Sequence, residues 1–157
     1  MAVKQKITPF FWYDSEAETA AEHYTSIFPN SRILAVTRYG QSGPGPVGSV
    51  MTVKFMLDGM EFVALNAGPI FKFTEAISMV VNCEDQDEID HYWNKLSDGG
   101  EPGPCGWLKD RFGLSWQIVP AELASLMADA ERGNRVMSAL MGMRKLDIAK
   151  LRAAHRG

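Results

Sequence analysis

The spacing of apolar and polar residues along this chain predicts one set of elements that occurs twice. Ile7 to Tyr13 (ITPFFWY) is short, apolar and aromatic, which predicts a strand. Asp14 and Ser15 are N-cap residue types, and Glu18 follows Ser15 by three, so a capping box is expected at the head of a helix. That helix carries Ala17, Ala20, Ala21, Tyr24, Ile27 and Phe28 on one stripe at i, i+3/i+4, i+7 spacing. Pro29-Asn30 stops it. Ser31 to Tyr39 predicts a second strand, and Gly40 to Gly48 (GQSGPGPVG), rich in Gly and Pro, predicts a mobile surface loop. Val50 to Leu57 and Met60 to Leu65 predict a hairpin closed by Asp58-Gly59 in a two-residue type I′ turn.

After Asn66-Ala-Gly-Pro69 the order begins again. Ala76 to Asn82 (AISMVVN) predicts a strand, and Asp85 to Leu96 a helix that buries Ile89, Trp93 and Leu96. Asp98-Gly99-Gly100 ends it. Weaker strand material runs through Trp107 and Leu108, a turn follows at Asp110-Arg-Phe-Gly113, and Leu114 to Val119 (LSWQIV) predicts the last strand. Residues 121–154 are helical by pattern, in pieces broken near Gly133 and Gly142. The repeat aligns Trp12-Tyr13-Asp14-Ser15 with Val81-Asn82-Cys83-Glu84, which sets Tyr24 opposite Trp93. It also aligns Gly59 to Leu65 with Gly113 to Val119 without a gap. Self-similarity at this offset means duplicated supersecondary units. The expectation is an α+β fold in one domain: module one over about 5–68, module two over about 73–120, and a helical tail over 121–154.

Composition narrows the classes of function. The 157 residues are 46% hydrophobic and 22% charged, with net charge −3, typical of a globular protein and unlike a binder of nucleic acid or anionic membrane. Basic residues gather near the end (Arg144, Lys145, Lys150, Arg152, Arg156), which reads as the solvated face of a last helix. No apolar run approaches the length of a membrane span, and the first residues lead into a strand rather than a signal peptide's apolar stretch. The two cysteines, Cys83 and Cys105, form no Cys-x-x-Cys motif, and a reducing cytoplasm is the expected compartment.

The runs ITPFFWYDSEAETAAEHY (7–24), FPNS (28–31), LNAGPIFKF (65–73), SMVVNCEDQDEIDHYW (78–93), CGWLKDRFGLSWQIVP (105–120) and MRKLDIAKL (143–151) resemble the vicinal-oxygen-chelate superfamily of glyoxalases, bleomycin-resistance proteins and ring-cleaving dioxygenases. Within it they resemble the PhnB-like branch, whose members are often labelled demethylubiquinone 3-methyltransferase-like. The GW-x-x-D-x-FG-x-SWQIVP run is the most specific part. The resemblance implies two βαβββ modules, each curling a mixed sheet into a half-open cup, and a homodimer.

Metal-dependent members of that superfamily hold a divalent ion with His, Glu or Gln side chains from the first and last strands of each module. Carried over, those positions fall at Ile7 or Thr8, at Ala76 or Ile77, at Val63 and at Gln117. Only Gln117 is a ligand type, whereas a catalytic ion takes three or four N/O donors, so no metal is expected. A register slip of two would bring Glu61 or Glu75 onto the same face. His23 and His91 fall on helices and His155 in the tail, which suits surface positions. S-adenosylmethionine sites use a Gly-rich turn between a strand and a helix. The one Gly-rich stretch here carries Pro44 and Pro46 and leads into a strand, so no cofactor is expected either. What remains is a small-molecule cup whose ligand-binding wall would include Phe11, Trp12, Asn66, Cys105, Trp107, Trp116 and Gln117, aromatics with a few polar groups. The reading is a metal-free binder of a small, partly apolar molecule. Its rivals are a divalent-metal isomerase, lyase or thiol transferase, and a purely sequestering protein of the resistance type. Apolar residues of the tail, Met127, Val136, Met137, Leu140, Met141, Met143 and Ile148, fall on more than one helical face and suggest the dimer surface.

Overall fold

The computed structural model describes residues 4–157. They form two compact units, one through Lys72 and the other from Phe73 to Gly157. The first contains β1 (Phe10–Tyr13), α1 (Ala17–Ile27), β2 (Arg32–Arg38), β3 (Val50–Leu57) and β4 (Met60–Asn66). The second contains β5 (Met79–Cys83), α2 (Gln86–Ser97), β6 (Glu101–Pro102), β7 (Trp107–Lys109) and β8 (Ser115–Pro120), then α3 (Leu123–Leu126), α4 (Ala130–Met141) and α5 (Ile148–Arg156). The sheets have the same topology, β1-β4-β3-β2 and β5-β8-β7-β6, with the first strand of each parallel to the last and the other pairings antiparallel. This is the expected α+β fold of two βαβββ modules with a helical extension.

The internal repeat holds with one correction. Tyr13 pairs with Asn66, and Cys83 pairs with Pro120, so Tyr13 matches Cys83 rather than Asn82. The helices keep the expected match of Tyr24 with Trp93, both buried. The second unit therefore has one residue fewer between its first strand and its helix.

In the first unit, α1 lays its predicted stripe of Ala17, Ala20, Ala21, Tyr24 and Ile27 against Phe11, Tyr13, Val53, Phe55, Phe62 and Ala64, all buried. Phe55 stacks on Phe62 at 5.5 Å, and the Tyr13 and Tyr24 hydroxyls meet at 3.2 Å. Each large side chain buried this way contributes roughly 1.5–3 kcal/mol. The capping box does not form. The helix starts later than Ser15 would cap it, at N-cap Glu16, whose side chain makes no cap bond. Asn66, at the far end of β4, supplies the acceptor instead: its Oδ1 takes the Ala17 N–H at 2.8 Å. The type I′ turn is present, with Asp58 at φ 46° and Gly59 at φ 82°. The Gly/Pro loop is tied down at its base, where Gly48 N–H donates to the Tyr39 carbonyl and Ser49 N–H to that of Pro46.

In the second unit, Asp85 caps α2 by accepting the Glu88 N–H at 2.9 Å. The tail breaks at a different point from the one its pattern suggests. Gly133 lies inside α4, and the helix begins at N-cap Asp129, which accepts the Arg132 N–H. A Cβ on Gly133 would stand 2.5 Å from the Met127 carbonyl oxygen, so this glycine permits close backbone approach rather than ending a helix. Gly142 does end α4. Val136, Leu140, Leu146 and Leu151 bury themselves with Leu126 and Val119 in one cluster. The apolar surplus expected to seek another surface is thus largely consumed within the unit, leaving Met137 (42% exposed) and Met141 (64%) outside. Of the tail's basic residues, Lys145 pairs with Asp90, Lys150 with Asp147 and Arg152 with Glu122. Among the described residues no helix is long and apolar enough to cross a membrane.

Candidate functional site

Side chains alternate across a strand, so register decides which residues face the helix and which face away. In the second unit Trp116 and Ile118 of β8, with Leu108 of β7, are buried on the face that packs α2. Ser115 and Gln117 take the opposite, open face. There Gln117 sits directly between Trp107 on β7 and Val80 on β5, and Val80 is 50% exposed. Two residues along the strands, a second row reads Glu101, Lys109, Ser115 across β6, β7 and β8. An aromatic-amide row thus adjoins a row of carboxylate, ammonium and hydroxyl. Gln117 Nε2 donates to Ser78 Oγ at 2.9 Å, and Lys109 Nζ meets Glu75 Oε1 at 2.5 Å. The Lys109 ammonium, by hydrogen bond and then by charge, holds the Glu75 carboxyl below its ordinary range, and Glu75 raises Lys109 in turn. A cavity of about 220 Å³ opens at the polar row, lined by Glu75, Glu101, Trp107, Lys109 and Ser115.

The seven residues expected to line a cup fall into different environments. Trp107 and Gln117 are cross-strand neighbours on the open face. Trp116 is buried on the helix side of the same sheet. In the first unit, Trp12 shares the open face with exposed Phe10, donates its indole N–H to the Gly68 carbonyl at 2.9 Å, and meets Phe71 edge-on at 4.9 Å. Phe11 is buried against Phe62 beneath α1. Asn66 lines a cavity of about 610 Å³ with Asp14, Glu18 and Tyr39. Both its amide atoms already serve backbone, Oδ1 for Ala17 and Nδ2 for Val50. Cys105 has φ 60° in a turn docked by the tail: its N–H donates to the Met143 carbonyl, and its sulfur lies 3.7 Å from that of Met141. Burial pushes the other thiol, Cys83, up to about 12, which leaves it unreactive at neutral pH.

Asp110 explains much of the GW-x-x-D-x-FG-x-SWQIVP run. Its carboxylate is 3% exposed, accepts the Phe112 and Leu114 N–H groups on Oδ1, and accepts the Trp116 indole N–H on Oδ2 at 2.9 Å. One buried side chain therefore shapes the β7–β8 turn and fixes the rotamer of Trp116. Sequence reasoning missed Asp110 as anything more than a turn residue, and missed Ser115. The alternation in LSWQIV already sets Ser115 on the same face as Gln117. A further concavity, about 680 Å³ at the N-termini of α2 and α5, includes charges with partners: Lys145 with Asp90, and Lys150 with Asp147. Asp85 and Asp147 are the caps of those helices, so their roles are structural.

The superfamily's metal positions can be tested on this geometry. On the corrected repeat, the first-strand position in the second unit is Ser78, which faces the same way as Gln117 and accepts its hydrogen bond. In the first unit the corresponding residues are Thr8 and Val63. A hydroxyl and an amide bonded to each other, and a second pair containing valine, are neutral and do not fit a divalent ion, which takes imidazole, thiolate or carboxylate donors. Glu61 and Glu75, the two carboxylates within reach of a register slip, are ion-paired with Lys54 and Lys109. No group of three or more His, Cys, Asp or Glu suited to a metal occurs among the described residues.

The family model described as 3-demethylubiquinone-9 3-methyltransferase matches residues 5–119. It stops where the tail begins, so the run 143–151 lies outside the match. No curated protein sequence matches the chain. Among solved structures, a PhnB protein from Bacillus cereus is 38% identical, with a TM-score of 0.64 over 73% of this chain and 99% of that one. Protein PA1353 from Pseudomonas aeruginosa (18% identity, TM-score 0.63, 74% of this chain and 98% of that one) shares the fold. So does the fosfomycin resistance protein FosX from Mesorhizobium loti (12% identity, TM-score 0.56, 82% and 100%). With the module order, the two mixed sheets and these matches together, the chain belongs to the 3-demethylubiquinone-9 3-methyltransferase-like, PhnB-like family.

Proposed function

We propose that this protein binds a small, partly apolar molecule on the open, aromatic-lined face of its second sheet, without a metal ion, as a cytoplasmic homodimer. The observation that carries the reading is the Trp107–Gln117 cross-strand pair, half-open to solvent beside a cavity and free of carboxylate or imidazole at the superfamily's ligand positions. Trp107 supplies a flat apolar wall, and Gln117 supplies an amide that orients a polar atom. In the first unit Trp12, on β1, lies on the open face, while the position that matches Trp107 is Lys54. Phe11 and Trp116 support the sheets from behind, while Asn66 and Cys105 shape backbone. Ligand pockets generally measure about 300–1,000 Å³. The cavity at Ser115 is smaller, so it suits one end of a ligand whose body rests on Trp107 and Gln117.

Methyl transfer, despite the family's name, has no support in the Gly-rich segment. Residues 40–48 join two antiparallel strands, β2 and β3, rather than a strand to a helix, and the cavity that Pro44, Gly45 and Pro46 share with the start of α1 is lined by the carboxylates of Asp14, Glu18 and Glu22. Calorimetry with S-adenosylmethionine at millimolar concentration is expected to show no saturable isotherm. Dimerisation is supported by exposed Phe10, Phe71, Ile77 and Val80, apolar residues of a kind that a second copy buries.

The deciding experiment is mass and elemental analysis of protein purified without chelator. A co-purifying small molecule with far less than one equivalent of Zn, Ni, Mn, Fe or Mg is the expected result. Near-stoichiometric metal that disappears in Gln117→Ala contradicts it.

A further inference from the structure

We propose that the cavity at the polar row of the second sheet is the receptor for a primary ammonium group, with Ser115 as a hydrogen-bonding residue, so that the ligand is a small arylalkyl amine. This rests on the open-face binding reading above and names the ligand's chemistry.

The starting point is Ser115. It is 1% exposed, and its hydroxyl, buried on β8, has no hydrogen-bond partner. Buried hydroxyls are nearly always satisfied, and an orphan in a folded protein calls for a cause. Ser115 lines a cavity with Glu75, Glu101, Trp107 and Lys109, so the site has a donor and acceptor in need of a partner, ionic groups, and an aromatic wall.

The charges select the partner. Two carboxylates and one ammonium give the cavity a formal charge of −1. Glu75 is engaged by Lys109, and Glu101, the cross-strand neighbour of Lys109, forms no ion pair with the described residues and acts on Lys109 only through its charge. An entering ammonium brings two positive charges against two negative ones. An entering carboxylate sets three negative charges against one positive. Trp107 adds a face that attracts a cation. Access is cheap: Ser115 becomes reachable when the Glu75–Lys109 pair at the rim opens, and both members of that pair are about half exposed. The opened pair leaves Glu75 to the ligand's N–H groups while Lys109 returns to water, and Ser115 Oγ accepts a third N–H. The aryl part of the amine then lies along the adjacent row, on Trp107 and Gln117.

The test is a titration of the full-length, ¹⁵N-labelled protein with 2-phenylethylamine, 2-phenylethanol and 3-phenylpropionate at pH 7, read at the Trp107 indole signal. The amine is expected to bind at least fivefold more tightly than the alcohol, and the carboxylate most weakly. Glu101→Gln, a change at an exposed position, should bring amine and alcohol within twofold. Ser115→Ala should weaken the amine at least threefold. Equal affinity for amine and alcohol in the parent protein, or an amine unaffected by both substitutions, overturns the ammonium receptor while leaving open-face binding intact. Tighter binding of the carboxylate does the same. Failure of all three probes to move Trp107 overturns both readings.

Discussion

At the scale of single residues, two polar side chains set the character of the second sheet, Asp110 and Ser115. Asp110 satisfies two backbone N–H groups and the Trp116 indole, and it is buried while doing so. Asp110→Ala removes the carboxylate acceptor of three N–H groups, two of them in buried bonds. Each such loss costs about 1–3 kcal/mol, so urea denaturation should show a destabilisation of about 3 kcal/mol or more. A Trp116→Phe background should absorb part of that cost, because one of the three donors is then gone. Ser115→Ala should behave in the opposite way, with stability unchanged or raised by up to about 1 kcal/mol, since the hydroxyl it removes has no partner in the fold. A loss above that size would mean that Ser115 holds structure rather than ligand. Asp129 gives a pH test. The Arg132 backbone N–H at the head of α4 holds its carboxyl below the ordinary range. A carboxylate with a lowered folded pKa contributes stability that is present above its unfolded value, about 4, and is lost as pH falls through the folded one. Asp129→Asn keeps a capping oxygen and removes the titration. Its stability should match the parent at pH 7 and fall less steeply than the parent's below about pH 4. Parallel acid limbs would show that the cap bond is not made in solution.

Among elements, local signals were legible and tertiary ones were not. The Asp58-Gly59 turn, the α1 stripe and the α2 helix expected from Asp85 are written within a few residues of chain, and they appear within a residue of where the pattern predicts. The capping box at Ser15 is equally plausible locally but loses to Asn66, an acceptor 49 residues away in sequence from the N–H it takes. Asn66→Ala removes that acceptor and the donor to Val50, and should cost about 1–2 kcal/mol, measured as a shift in denaturation midpoint with unchanged slope. Gly133 teaches the same lesson with the sign reversed. In an isolated helix interior, Gly→Ala stabilises by about 1 kcal/mol. Here the added carbon meets the Met127 carbonyl at 2.5 Å, backbone against backbone, so Gly133→Ala should destabilise. A stabilised variant would mean that α3 and α4 are not packed this closely. The one-residue difference between the repeats was also invisible to composition, because only strand register reveals which residues lie opposite Val63 and Gln117.

For the molecule as a whole, family membership covers residues 5–119, and the tail is an addition that earns its place by packing. Its Leu126, Val136, Leu140, Leu146 and Leu151 close over Val119, and its backbone accepts the Cys105 and Gly106 N–H groups. The candidate site was half legible. Trp107 and Gln117 follow from strand alternation within a recognisable motif, and the same alternation holds Ser115, whereas Lys109 and Glu75 join them only through register and a contact across the sheet. The central claim is small-molecule binding at Trp107 without a metal ion. The most direct measurement is the Trp107 indole signal of EDTA-treated protein, followed during titration with 2-phenylethylamine and then with Mn²⁺. A saturable shift in the presence of EDTA, with no selective broadening at Trp107 or the Gln117 side-chain amide when one equivalent of Mn²⁺ replaces the chelator, is the predicted result. A Trp107 response that is absent in EDTA and appears only with stoichiometric Mn²⁺ would contradict the account.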